Sequence, residues 1–102
     1  MDIDTLLRDL YEIGHEQGLH TGRWEDEYMQ EYSSEIWFEA MIEYANKYGI
    51  ETYSKEYYYD AYKEELDSGE YRKYNVLDEV ATDLRDEIIV KIAEEIKSKL
   101  IL

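Results

Sequence analysis

Two histidines and twenty-six carboxylates are the side chains of this 102-residue sequence with the widest chemical reach. His15-Glu16-Gln17-Gly18-Leu19-His20 invites comparison with the HExxH zinc motif. There the second histidine stands at i+5, about 140° round a helix from the first, whereas i+4 would bring both onto one face. Glu12 and His15 match the Glu-x-x-His unit of di-iron bundles, which need two such units and two further glutamates. The other local candidate, Gln17 to His20, has Gln in place of Glu; a symmetric dimer could supply a second copy. No calcium loop, phosphate-binding glycine loop or nucleophile elbow is present. Ser33, Ser34, Ser54, Ser68 and Ser98 read as caps or surface residues. Carboxylate pairs abound, but none stands apart as buried and distinct, which a glycosidase would need. The sequence is therefore read as a non-enzyme with no metal and no cofactor.

The pattern that stands out is one of spacing. Glu27, Glu31, Glu35, Glu39 and Glu43 fall at unbroken i, i+4 intervals. On one helix they would step about 6 Å along the axis, span roughly 24 Å, and drift about 40° per step. Like charges at this spacing repel by about 0.2–0.5 kcal/mol per pair. The ladder recurs at Glu56, Asp60, Glu64 and at Glu79, Asp83, Glu87. Between Trp24 and Asp67 thirteen acids face three lysines, with Tyr28, Tyr32, Tyr57, Tyr58, Tyr59 and Tyr62 set among them. The bland reading is the solvated outer face of amphipathic helices. The sharper one is a display of regularly spaced negative charge.

The composition limits the alternatives. Net charge is −15, yet 44% of residues are hydrophobic and twelve are Tyr, so this is no disordered acidic tail. The chain has no Cys, hence no disulfide or thiolate site. No signal peptide and no apolar run of the ~20 residues that span a bilayer is visible, and the expectation is a cytoplasmic protein. Acidity disfavours direct contact with nucleic acid or anionic membrane and favours a basic protein partner.

The elements that must position these groups read as follows. One domain covers residues 1–102. Ile3, Leu6, Leu7, Leu10 and then Tyr11 or Ile13 predict a helix over about 4–13, started by Asp2 or Asp4. Gly14, Gly18 and Gly22 predict a break or hinge after it; the alternative keeps the helix and uses the glycines as a close-packing face. Trp37, Ala40, Met41, Tyr44, Ala45 and Tyr48 mark a second helix within 24–48, stopped by Gly49. Ser33 or Ser34 could cap a new helix there and split the ladder. Ser54 starts a helix over 55–66, and Asp67-Ser68-Gly69 ends it. Asn75 caps the clearest element, over 76–100, whose stripe is Leu77, Val80, Ala81, Leu84, Ile88, Ile92, Ile96 and Leu100. From Ile88 onward this helix is nearly neutral and aliphatic on several sides, which makes it the core spine or a homodimer seam. The fold class is all-α, a small bundle of three to four helices with a long C-terminal helix; a strand pair at 50–53 and 71–74 is the alternative.

Duplex DNA carries one negative charge per ~1.7 Å of axis, and phosphates ~3.4 Å apart on each strand. Carboxylates at ~6 Å on one helix, with a second acidic helix alongside, could occupy phosphate sites in a DNA-binding protein. In composition and charge spacing, though not in any motif, the chain resembles the DNA-mimic inhibitors of phage and mobile elements, of the antirestriction and anti-CRISPR kinds. That resemblance implies a small helical inhibitor, often dimeric, acting on a basic nucleic-acid-binding protein. The residues expected to touch such a partner are Glu27, Glu31, Glu35, Glu39, Glu43, Glu56, Asp60 and Glu64, with Tyr28, Tyr32, Tyr58 and Tyr59. An acidic adaptor, subunit or antitoxin-like neutraliser without mimicry is the alternative.

Overall fold

The computed structural model describes residues 1–20 and 26–101, and among these it has five helices and no strand. They are α1 (Ile3–His20), α2 (Glu27–Lys47), α3 (Lys55–Ala61), α4 (Lys63–Asp67) and α5 (Lys73–Leu100). The expected all-α bundle with a long C-terminal helix is the fold, and the alternative strand pair does not form.

The spine is α5. It buries Val76, Leu77, Val80, Ala81, Leu84, Ile88 and Ile92. Trp37, Phe38, Met41 and Ala45 of α2 and Leu6 and Ile13 of α1 complete one continuous core. Each large aliphatic side chain buried there contributes about 1.5–3 kcal/mol. Tyr58, Tyr59, Tyr62 and Leu66 of the α3–α4 segment close its rim, the Tyr58 ring meeting Phe38 edge-on at 5.9 Å.

The helix ends follow local chemistry. Asp2 Oδ1 accepts the Thr5 N–H at 2.8 Å, and Asp26 Oδ1 accepts the Tyr28 N–H at 2.9 Å. At the end of α2, Gly49 takes φ +74°; its N–H reaches the Asn46 carbonyl at 3.2 Å and that of Ile50 the Ala45 carbonyl at 2.9 Å. This is a Schellman stop. Ser54 caps α3 as expected, through its hydroxyl on the Tyr57 N–H at 3.2 Å.

Three expected boundaries differ. α1 does not stop near residue 13 but runs to His20, with Gly14 and Gly18 inside it. Their cost of about 1 kcal/mol each is outweighed by anchors on either side, because Ile13 before them is buried and His20 after them is held by two other helices. Nor do these glycines form a packing face, since a Cβ at either would meet nothing within 4 Å. Gly22, the third of the set, lies with Trp24 and Leu102 outside the described residues. The second difference is at Tyr62, where the helix expected over 55–66 is interrupted (φ −104°, ψ 24°). There the Tyr62 ring stacks on Tyr71 and its hydroxyl donates to Glu79. The third is that α5 starts at Lys73. Asn75 is its third residue, not its cap, and accepts the Arg72 N–H at 2.8 Å.

Candidate interface and the polar junctions behind it

Ser33 and Ser34 do not split the ladder. α2 is continuous from Glu27 to Lys47, so all five carboxylates stand on one helix. The serines precede Trp37 by four and three residues, which puts them in its inward register. Ser34 is fully buried and accepts from Gln30 Nε2 at 3.1 Å, while Ser33 Oγ lies 2.8 Å from His20 Nδ1. Ser33 meets His20 of α1 and Ser34 also reaches Asp78 of α5, so neither is needed as a cap.

The drift of about 40° per step accumulates to roughly 160° between Glu27 and Glu43. The two ends of the ladder therefore meet different neighbours. Glu27 is 2.9 Å from Arg72 at the start of α5. Lys55 of α3 reaches Glu35 at 3.8 Å and Glu39 at 3.5 Å. Glu43 instead lines a groove on the α1 side, with Arg8, Glu12, Glu16 and Lys47. Among the described residues, neither Glu31 nor Glu43 has an ion pair. These pairs are largely exposed; Glu27 and Glu39 side chains are 58% and 65% open. Contacts of that kind are worth about 0–1 kcal/mol and leave the carboxylates available.

Glu31 and Glu35 of α2 and Glu56 of α3 act electrostatically on one phenol. Burial, then the charges of Glu35, Glu31 and Glu56, pushes the Tyr59 phenol upward. Lys73 Nζ stands 5.2 Å from the centre of that ring. Tyr58 and Tyr59 are thus half-buried packing groups, whereas Tyr28 and Tyr32 are 72% and 55% exposed. Each of the latter pair follows a ladder carboxylate by one residue, about 100° round the helix. They form a stripe beside the carboxylates rather than between them. Glu56, Asp60 and Glu64 are exposed, but the break at Tyr62 puts Glu64 on a separate helix, and these three do not form one ladder. Glu79 of the third series accepts from Tyr62 at 3.1 Å and Tyr71 at 2.9 Å.

Two partly buried polar junctions hold α2 in place. Asp9, 1% exposed, takes Lys47 Nζ at 2.7 Å and the Tyr48 hydroxyl at 2.6 Å. Burial opposes its charge, but Lys47 and Tyr48 outweigh that and hold its carboxyl below the usual range. Beside it the Tyr44 hydroxyl donates to Glu12. At the other end His20 stacks on Trp37 (4.4 Å, 22°), meets Ser33, and pairs through Nε2 with Asp78 Oδ1 at 2.9 Å. Burial raises the Asp78 carboxyl, only partly offset by Ser34 and His20.

A serine, a histidine and an aspartate in a row resemble a nucleophile relay in type. Ser33, however, lies inside α2, where helix hydrogen bonds occupy the neighbouring backbone N–H groups. No backbone donor stands ready there for an oxyanion. The histidines also do not converge: His15 lies against the Tyr11 ring, and His20 is committed to the junction. Among the described residues no group of three or more His, Asp or Glu could hold a metal ion, and no helix is long and apolar enough to cross a membrane.

The junction residues escaped the sequence reading, although a signal existed. Asp9 stands three residues after Leu6 and four before Ile13, in core register, as Ser34 does before Trp37. A polar residue in that register calls for a buried partner. Compared with protein families, curated proteins and solved structures, the chain finds no match in any of the three.

Proposed function

We propose that this chain is an acidic inhibitor that occupies the nucleic-acid-binding groove of a basic protein, in the manner of a DNA mimic. One observation carries the reading: four carboxylates, Glu27 to Glu39, follow one uninterrupted helix at about 6 Å steps, and α3, which carries Glu56, lies alongside, its Lys55 reaching Glu35 and Glu39. The surface is broader than one helix and carries aromatic area at Tyr28 and Tyr32. A groove lined with Arg and Lys would find carboxylate acceptors at intervals of the order of phosphate spacing, and guanidinium groups could lie on the tyrosine rings. Glu43 faces the α1 side and Glu64 stands on the separate helix α4, and both contribute through the general field.

A second reading is an acidic adaptor that binds a basic partner without imitating DNA. It is favoured by Lys55, Arg72 and Lys73, which interrupt the negative surface where a mimic would leave it clear. Competition separates the two. The immobilised chain is incubated with bacterial lysate, captured proteins are identified by mass spectrometry, and the capture is repeated with excess duplex DNA. Mimicry requires that the captured protein bind duplex DNA and that DNA and this chain exclude each other. Simultaneous binding of both leaves the adaptor reading.

A further inference from the structure

Among the described residues, the C-terminal half of α5 leaves a long apolar strip of the spine open. Ile92 is wholly buried, but Ile89 is 37% and Leu100 68% exposed, Ala93 is exposed and Ile96 half-buried. With Leu10 of α1 these four residues line an apolar groove. Ile89, Ala93, Ile96 and Leu100 follow the 4-3-4 spacing of a two-stranded coiled-coil seam. That spacing reads the same in both directions about a point between Glu94 and Glu95.

We propose that a second copy of this chain covers this groove, its α5 lying antiparallel across a two-fold axis between Glu94 and Glu95. Ile89 then meets the partner's Leu100, and Ala93 meets the partner's Ile96. A two-fold contact must be self-complementary, and the palindromic spacing satisfies this with large against large and small against large. Charge selects the occupant. The chain as a whole carries −15, but beyond Ile88 the helix has Lys91, Lys97 and Lys99 against Glu94 and Glu95. This is where two copies can meet with least repulsion. A basic partner, by contrast, is drawn to the acidic α2–α3 side. Antiparallel pairing also sends the two acidic bodies to opposite ends of the seam, whereas parallel pairing would lay them side by side. Ile92, expected from the sequence to be part of such a seam, belongs to the monomer core and is no probe of it.

The test uses the full chain. Sedimentation equilibrium from about 10 µM to about 1 mM is expected to show a monomer–dimer equilibrium. Ile89→Lys and Leu100→Lys, at exposed positions, should keep the helical circular dichroism and weaken the dimer by about tenfold or more. Because the chain has no cysteine, Ile89→Cys and Leu100→Cys report on direction. An oxidised equimolar mixture should give mainly the mixed 89–100 disulfide, and each variant alone far less. A wild type that stays monomeric throughout overturns the proposal. So does a dimer that survives both lysine substitutions, which places the contact on another face, and so do homodisulfides forming as readily as the mixed one.

Discussion

His20 Nε2 lies 2.9 Å from Asp78 Oδ1, so the last residue of α1 is pinned to the first turns of α5. The His20 side chain is 9% exposed and that of Asp78 28%. Removing either partner takes the ion-pair contact from the other, and the Asp78 Oδ1 atom is itself buried. His20→Ala is expected to destabilise the chain by about 2 kcal/mol, through the lost pair and the lost stacking on Trp37. A cycle with Asp78→Ala should return a coupling of about 1–3 kcal/mol from urea denaturation. Additive single effects would mean that the two residues act separately.

Asp9 gives the fold a pH dependence of known sign. Its folded carboxyl is held below the usual 3.8. At pH values between the folded and unfolded values the unfolded chain binds more protons, so stability rises with pH. The stabilisation by the Lys47 and Tyr48 contacts is complete above about pH 4 and disappears as pH falls through the depressed folded value. Acid also relieves the general repulsion of a −15 chain, so the useful quantity is the difference between wild type and Asp9→Asn. That difference should favour wild type by about 1–3 kcal/mol at pH 6 and shrink steadily below pH 4 in a chemical-denaturation series. A constant difference would contradict the assignment.

Gly14 sits in the middle of α1 with open space where a Cβ would go. Gly14→Ala should therefore stabilise the chain by about 1 kcal/mol, read as a rise of about 4–8 °C in Tm for a domain of this size. Loss of stability would show that the position serves something other than the helix.

The helical pattern was legible where apolar spacing and caps agreed. Leu77, Val80, Leu84, Ile88 and Ile92 gave the spine, and Ser54 and Gly49 gave a start and a stop, because each signal is local. The end of α1 was not legible, since His20 is anchored by Ser33 and Asp78, which are distant in sequence. Ser33 and Ser34 resemble caps locally, and only tertiary partners turn them inward. The stripe from Glu27 to Glu43 was visible as spacing, but its division between the α3 side and the α1 side depends on where Lys55, Arg72 and Arg8 come to rest. Tyr58 and Tyr59, read as contact residues, are held at the core rim by Phe38 and Lys73, neighbours that the local sequence does not reveal.

The last prediction concerns the acidic surface itself. Glu31, Glu56 and Asp60 are exposed and form no ion pair among the described residues, so the core does not depend on them. Glu31→Lys puts a cation between Glu27 and Glu35 and turns two repulsive i, i+4 steps into attractive ones, each worth about 0.2–0.5 kcal/mol. The triple variant Glu31→Lys, Glu56→Lys, Asp60→Lys should keep the fold, the gain at Glu31 offsetting the loss of about 0.3–1 kcal/mol from a cation in the first turn of α3. A control set, Asp4→Lys, Asp67→Lys and Glu70→Lys, changes the net charge equally at exposed sites outside α2 and α3. If the surface around Tyr59 is the contact, the first set should abolish capture of the partner and the control should weaken it by less than about tenfold. Wild-type binding should also fall steeply with salt, as the Debye length shrinks from about 10 Å at 0.1 M to 3 Å at 1 M. Equal losses in the two sets would assign binding to overall charge. Full binding by the first set would make the stripe a solvated face and remove the basis for the proposed function.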